Sequence, residues 1–329
     1  MRQILLHPGF HKTGTSSMQH FLWANRDALE PYFEVRLMRH FKPVVRLAGM
    51  FSRRKNPLQL LDMVPLLDEC FAELPLRCDR DLLLSAEGLC GHLPGTHDIH
   101  DYSAVPILMT YLAGYLLERF PDAQVKLLFT TRNSYDWLFS TYKHQLRAQR
   151  LRLDFTEFEA EYKDAAQLDK VVRKVAKALA PLPVTTMPMS EALRHPLGPG
   201  AALVDQMEVP DLVRSSLIPV GKGNEGPSDA LWAQFLSINR SSLSDAAAAE
   251  AKMRSRKLRT LVAGGRCERA THRRAWRISQ DRHDVDPVLS HGQRKASVAT
   301  YGLGHARADQ RHYQDRNDAF RDPRPVIAG

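Results

Sequence analysis

Short apolar runs recur along the chain, and most are followed by a small polar cluster and then by apolar residues three or four positions apart. The first, Ile4-Leu5-Leu6-His7, leads through a glycine-punctuated loop into Met18, Phe21 and Leu22 at helix spacing. Asp81-Leu82-Leu83-Leu84-Ser85 and Val125 to Thr131 repeat the pattern of a buried parallel strand ending in polar residues. Helical stripes follow. Tyr111, Leu112, Tyr115, Leu116 and Phe120 form one, stopped by Pro121, and Tyr135, Leu138, Phe139, Tyr142 and Leu146 form another. The strongest is Leu168, Val171, Val172, Val175, Ala176 and Leu179, which Pro181 and Pro183 end before the apolar stretch Val184 to Met189. Ala201 to Met207 reads as a short helix, and Leu231, Phe235 and Ile238 mark a helix opening near Ser228. Between the first loop and residue 80 the pattern is helical with irregular connections, interrupted at Pro31, Pro57 and Pro65. Strand and helix in alternation predict an α/β fold: one parallel β-sheet flanked by helices, joined by right-handed crossovers.

Composition changes this picture at one end. The chain carries a formal charge of +9 over 329 residues, and residues 264–329 hold 13 Lys or Arg against 8 Asp or Glu. That segment has nine Ile, Leu, Val or Phe and no sustained period, so it cannot bury enough surface to order itself. The expected organisation is an α/β domain over 1–263 and a basic tail over 264–329, disordered or a non-native end left by a reading-frame change. A basic tail could attract nucleic acid, but its interspersed acids and lack of an aromatic stacking pattern argue against a nucleic-acid partner. No apolar run approaches the roughly 20 residues of a membrane span. Met1-Arg2-Gln3 leads directly into the first strand, so the expected location is cytoplasmic. Cys70, Cys78, Cys90 and Cys267 show no metal-ligand spacing, and no metal site is expected.

The chemistry concentrates in the first loop, Pro8-Gly9-Phe10-His11-Lys12-Thr13-Gly14-Thr15-Ser16-Ser17. A loop between a strand and a helix start stacks backbone N–H groups where the helix dipole is positive, which favours a phosphate-like anion. Gly9 and Gly14 permit close backbone approach, Thr13, Thr15, Ser16 and Ser17 add hydroxyls, and Lys12 puts a cation inside the loop. The phosphate-loop pattern G-x-x-x-x-G-K-[ST] is matched at Gly9 and Gly14 and then fails, because Thr15 stands where the lysine should be. With the lysine two residues before the second glycine, the stretch resembles the 5′-phosphosulfate loop of sulfotransferases that use 3′-phosphoadenosine 5′-phosphosulfate (PAPS). More narrowly, Gly9 to Ser17 looks like the bacterial sulfotransferase-family proteins.

That resemblance implies a P-loop NTPase-like sulfotransferase fold and assigns His11, Lys12, Thr13, Gly14, Thr15, Ser16 and Ser17 to the donor's 5′ end. Arg132 closes the third apolar run and Ser140 follows eight residues later on a helix, an arrangement that resembles the 3′-phosphate site of the same enzymes. Alone, Arg132 could equally cap a strand and Ser140 be buried on its helix. Glu87 lies just past the end of the second run, on the strand-end rim where ligands bind in open α/β sheets. It could take the acceptor's proton, cap a helix or pair with an arginine; the resemblance favours the base. Lys222 and Asn224, in the glycine-rich loop 220–228, are candidates for closing over the nucleotide, with a plain surface loop the alternative.

The expected activity is therefore transfer of a sulfuryl group from PAPS, with no metal, to a hydroxyl or amine acceptor, for which the resemblance favours a carbohydrate. Lys12 and Glu87 are the expected catalytic residues. The alternatives are a P-loop nucleotide kinase or triphosphatase, and a non-catalytic nucleotide-binding protein.

Overall fold

The computed structural model describes residues 2–74, 80–220 and 229–263, with side chains as far as residue 256. The chain divides into two units, 1–265 and 266–329. The tail expected over 264–329, and the candidates Lys222 and Asn224, lie outside the described residues.

Five strands form one all-parallel sheet: β1 (Gln3–His7), β2 (Phe33–Leu37), β3 (Asp81–Ser85), β4 (Gln124–Thr131) and β5 (Val184–Pro188), in the order β2-β3-β1-β4-β5. β1 is central, and the sheet is covered on both faces, as its nearly continuous apolar strands require. Ile4, Leu6, Leu82, Leu84, Val125, Leu127 and Phe129 pack into one core with helices Lys42–Arg54, Met63–Phe71, Val105–Arg119, Ser134–Ala148 and Leu168–Leu179. Leu5, Leu83 and Leu128, one position out of phase, enter a second core under helices Thr15–Ala24 and Ala201–Val204. The architecture is the expected α/β fold. Among the described residues no helix is long and apolar enough to cross a membrane.

The region before residue 80 departs from the all-helical expectation, because β2 lies there. Phe33, Val35 and Leu37 alternate with Glu34 and Arg36, a period-two pattern. On the face opposite Phe33, Val35 and Leu37, the half-buried Glu34 pairs with Arg36 at 3.4 Å and Arg80 at 3.7 Å. Its five residues are too few to stand out between helices.

Parallel connection brings the carboxyl ends of β1, β3 and β4 to one rim, with His7 opposite Ser85 in the register. The segment leaving β3 is fixed there by the Lys42–Arg54 helix. A Cβ built on Gly88 would lie 2.4 Å from Val45 Cγ1, so this glycine permits the close approach. Gly88→Ala is expected to cost roughly 1–3 kcal/mol through overpacking. A thermal unfolding midpoint unchanged from wild type would show that the two elements separate easily.

Candidate functional site

The loop after β1 is bound to β4 as well as to its own strand. Phe10 N donates to Thr130 O at 3.2 Å and Thr130 N to Gly9 O at 2.8 Å. Phe10 is fully buried, 4.9 Å from the Tyr102 ring and 5.1 Å from Phe129. Beneath it runs a buried polar chain: Thr13 Oγ1 donates to Phe10 O at 2.6 Å and lies 2.6 Å from Thr130 Oγ1, which lies 3.2 Å from His7 Nε2, while His7 Nδ1 lies 2.9 Å from Ser85 Oγ. One proton order links the chain: Ser85 donates to Nδ1, Nε2–H donates to Thr130, Thr130 to Thr13 and Thr13 to Phe10 O, with Gly9 O, 3.3 Å from Thr130 Oγ1, a second acceptor for that hydroxyl. That order needs a neutral imidazole, and burial does push the His7 pKa down to about 3. The Thr13 hydroxyl is thus committed to the loop's own support, leaving only its backbone to face a ligand.

Above this base the backbone turns sharply. Lys12 has φ 66° and Gly14 φ 92°, left-handed conformations that suit Gly14 and are uncommon for a lysine. Gly14 is the N-cap of the Thr15–Ala24 helix; Ser17 and Met18 donate to its carbonyl, so the N–H groups of Thr15 and Ser16 precede the first helical bonds. Thr15 is buried, Ser16 exposed and Ser17 half-buried.

The Ser134–Ala148 helix lies against the loop. Asn133 caps it, its side chain accepting from Asp136 N at 2.9 Å. Trp137 Nε1 donates to His11 O at 2.9 Å, and Arg132 Nη1, at the end of β4, donates to Lys12 O at 3.4 Å. The Arg132 guanidinium therefore reaches the backbone of the loop at Lys12. Ser140, His144 and Arg147 follow on the helix at spacings of four and three, the spacing of a single face. Arg147 Nη2 lies 3.3 Å from His144 Nδ1.

The surroundings of Lys12 are electropositive. Burial, then Arg147 and Arg132, lower the Lys12 pKa against a raising effect of Glu87. Burial lowers that of Arg132 against Asp136. His144 is pushed down to about 4 by burial, Lys12 and Arg147, and His11 to about 3 by burial and its basic neighbours His144, Lys12 and His92. The His11 ring is stacked on Tyr102, with Nδ1 3.2 Å from the phenol oxygen. Among the described residues, no carboxylate comes within 4.0 Å of the Lys12 or Arg132 side-chain nitrogens.

Glu87 is the acid whose charge acts on Lys12. A Cβ on Gly9 would lie 3.4 Å from Glu87 Cα, so the carboxylate stands beside the loop, and its Oε2 accepts from Gln19 Nε2 at 2.6 Å. Gln19, His144 and Arg147 complete the surroundings. Helical spacing places the last two on the Ser134–Ala148 helix, where His144 is half-buried and Arg147 exposed, and both act electrostatically on the loop. Gln19 lies 68 positions from its partner, a separation no local pattern signals. Among the described residues no group of three or more His, Cys, Asp or Glu could hold a metal ion.

The neutral imidazoles carry a measurable consequence. His7 folds with a pKa near 3 against 6.5 for a free histidine, so between those values the unfolded chain binds the extra proton. Stability is fully present above pH 6.5 and falls as pH drops, by up to about 1.4 kcal/mol per pH unit from His7. His11 and His144 act in the same direction. Denaturant midpoints measured from pH 7 to pH 4 should decline steadily; a flat profile would contradict the buried neutral network.

No family model and no curated protein matches the chain. A solved structure to which it is similar is a sulfotransferase from Alicyclobacillus acidocaldarius, with 17% sequence identity and a TM-score of 0.40, covering 76% of this chain and 95% of that one.

Proposed function

We propose that the chain is a sulfotransferase that moves a sulfuryl group from PAPS to a hydroxyl acceptor, with carbohydrate favoured by the likeness of Gly9 to Ser17 to bacterial sulfotransferases. One observation carries the reading: Lys12 and Arg132 are partly buried neighbouring cations, with no carboxylate within 4.0 Å of either among the described residues. Partly buried charges call for an opposite charge, and a donor with phosphates at both ends of its ribose would supply it twice. In this reading the backbone of His11 to Gly14, with Lys12, Thr15, Ser16 and Ser17, holds the 5′-phosphosulfate. Arg132 and Ser140 hold the 3′-phosphate.

The acceptor oxygen attacks sulfur in line. Its bond to sulfur forms as the bond from sulfur to the 5′-phosphate oxygen breaks, and Glu87 takes the hydroxyl proton. Negative charge collects on the departing phosphate oxygen, where Lys12 and the helix-start N–H groups stabilise it. Gln19 orients the Glu87 carboxylate by holding Oε2.

Thermal shift with adenosine 3′,5′-bisphosphate in the absence of metal, against ATP with magnesium, tests the donor. Stabilisation by the bisphosphate is expected. Stabilisation by ATP–magnesium alone would favour a kinase or triphosphatase. Release of the bisphosphate from PAPS across a panel of glycans, lipids and cell extract then tests the acceptor, and failure with every hydroxyl would leave a non-catalytic nucleotide-binding protein.

A further inference from the structure

The Ser134–Ala148 helix, whose last turn carries His144 and the exposed Arg147, both acting electrostatically on Lys12, does not close its own C-terminal end. Gln149, the residue after it, is extended, so no left-handed residue folds back to satisfy the last carbonyls. They are satisfied from far along the chain. Lys252 Nζ donates to Leu146 O at 3.0 Å and to Gln149 O at 2.6 Å, and Asn239 Nδ2 donates to Leu146 O at 3.1 Å and Leu151 O at 2.9 Å. Both side chains are buried, Lys252 at 6% and Asn239 at 0% exposure. The arrangement is reciprocal. Arg150 Nε donates to Asn239 O at 3.1 Å and Nη2 to Ser241 O at 2.7 Å, while Nη1 reaches Leu243 O and lies 2.9 Å from Asp245 Oδ1. Each of two helices, Ser134–Ala148 and Asp229–Arg240, thus has its C-terminal carbonyls held by a cation rooted outside it.

A buried ammonium is costly unless it is hydrogen-bonded, and the negative end of a helix dipole compensates it. Burial, and then Arg150, lower the Lys252 pKa. The place where it is held matters. Leu146 and Gln149 bracket Arg147, and His144 belongs to the same last turn, so a loosened end would let both charges move away from Lys12 while leaving Trp137, two turns earlier, on His11 O.

We propose that Lys252 is a positioning residue for the anion site: by fixing the carbonyls of Leu146 and Gln149, it holds Arg147 and His144 toward Lys12 and makes the helix Asp245–Ala263 part of the functional unit. The inference rests on the donor reading above only for the identity of the anion.

Lys252→Met, Lys252→Arg and Arg147→Met test it by two measurements. In Lys252→Met, amide hydrogen exchange over 144–149 is expected to quicken by about 10-fold or more, with the Trp137 to Thr141 amides unchanged. Affinity for adenosine 3′,5′-bisphosphate should fall about 10-fold, with little further loss when Arg147→Met is added, because both changes remove the same contact. Lys252→Arg, which keeps charge and donors, should restore both. Unchanged exchange in the last turn, equal acceleration along the whole helix, or fully additive losses would overturn the proposal. A wild-type protein without bisphosphate affinity would refute the donor reading alone, and exchange would still decide whether Lys252 holds the turn. If Lys252→Met does not fold, Lys252→Gln, a shorter neutral donor, gives the same comparison.

Discussion

Lys12→Ala is expected to lower turnover about 100- to 1,000-fold, the usual cost of removing one donor aimed at developing charge. Affinity for adenosine 3′,5′-bisphosphate should fall far less, about 10-fold, because other donors to the same anion remain. The asymmetry follows from where Lys12 sits. Its left-handed backbone sets it apart from the run of helix-start N–H groups, and in the proposed reading it addresses the departing oxygen at the loop's mouth. The floor is kept by Gly14, Thr15 and Ser16, and by the Thr13 hydroxyl bound to Phe10 O. A ground-state phosphate meets the backbone donors of Gly14, Thr15 and Ser16. Only the oxygen that gains charge as sulfur departs gains most from the lysine. Single-turnover rates with PAPS, beside a bisphosphate titration, separate the two effects. A mutant with near wild-type turnover would remove Lys12 from the chemistry, and a mutant that merely loses affinity would recast it as a binding residue.

The same loop shows what the sequence could and could not convey. Ile4 to Leu6 and Val125 to Phe129 are apolar enough to be read as buried strands, and their polar ends locate the rim on which Lys12, Glu87 and Arg132 stand. β2 escaped because an edge strand of five residues alternates like any surface segment. Within the loop, residue type announces hydrogen-bonding capacity but not direction. Thr13 carries the same hydroxyl as Thr15, yet its hydroxyl turns inward because Thr130, 117 positions away, meets it there. His7 reads as the end of an apolar run, and its role in tying β3 to β4 exists only once Ser85 and Thr130 flank it. Helical spacing likewise groups Ser140, His144 and Arg147 without naming the surface opposite. Pairings across the sheet supply that surface, and they depend on register, which no single stretch encodes.

Arg132→Ala is expected to weaken binding of adenosine 3′,5′-bisphosphate by roughly 10- to 100-fold, the worth of a charge-assisted, forked contact to phosphate. Turnover at saturating PAPS should change much less, since the lost contact lies away from the breaking bond. Arg132 suits a binding role for a geometric reason. Asp136, the acid that acts on its guanidinium, is already engaged by Asn133, whose side chain accepts from Asp136 N at 2.9 Å and donates to Asp136 Oδ2 at 2.5 Å. One nitrogen reaches Lys12 O at the long distance of 3.4 Å, a contact that leaves most of the fork's five donors to a ligand. Arg132→Lys should recover charge but not the paired geometry, and so only part of the affinity. The comparison ligand is adenosine 5′-monophosphate, which lacks the 3′-phosphate: wild type and Arg132→Ala should bind it equally. Equal loss for both ligands would move Arg132 to the 5′ end beside Lys12, and unchanged bisphosphate affinity would abolish the second phosphate site altogether, leaving the loop with a single anion and the PAPS reading without its second anchor.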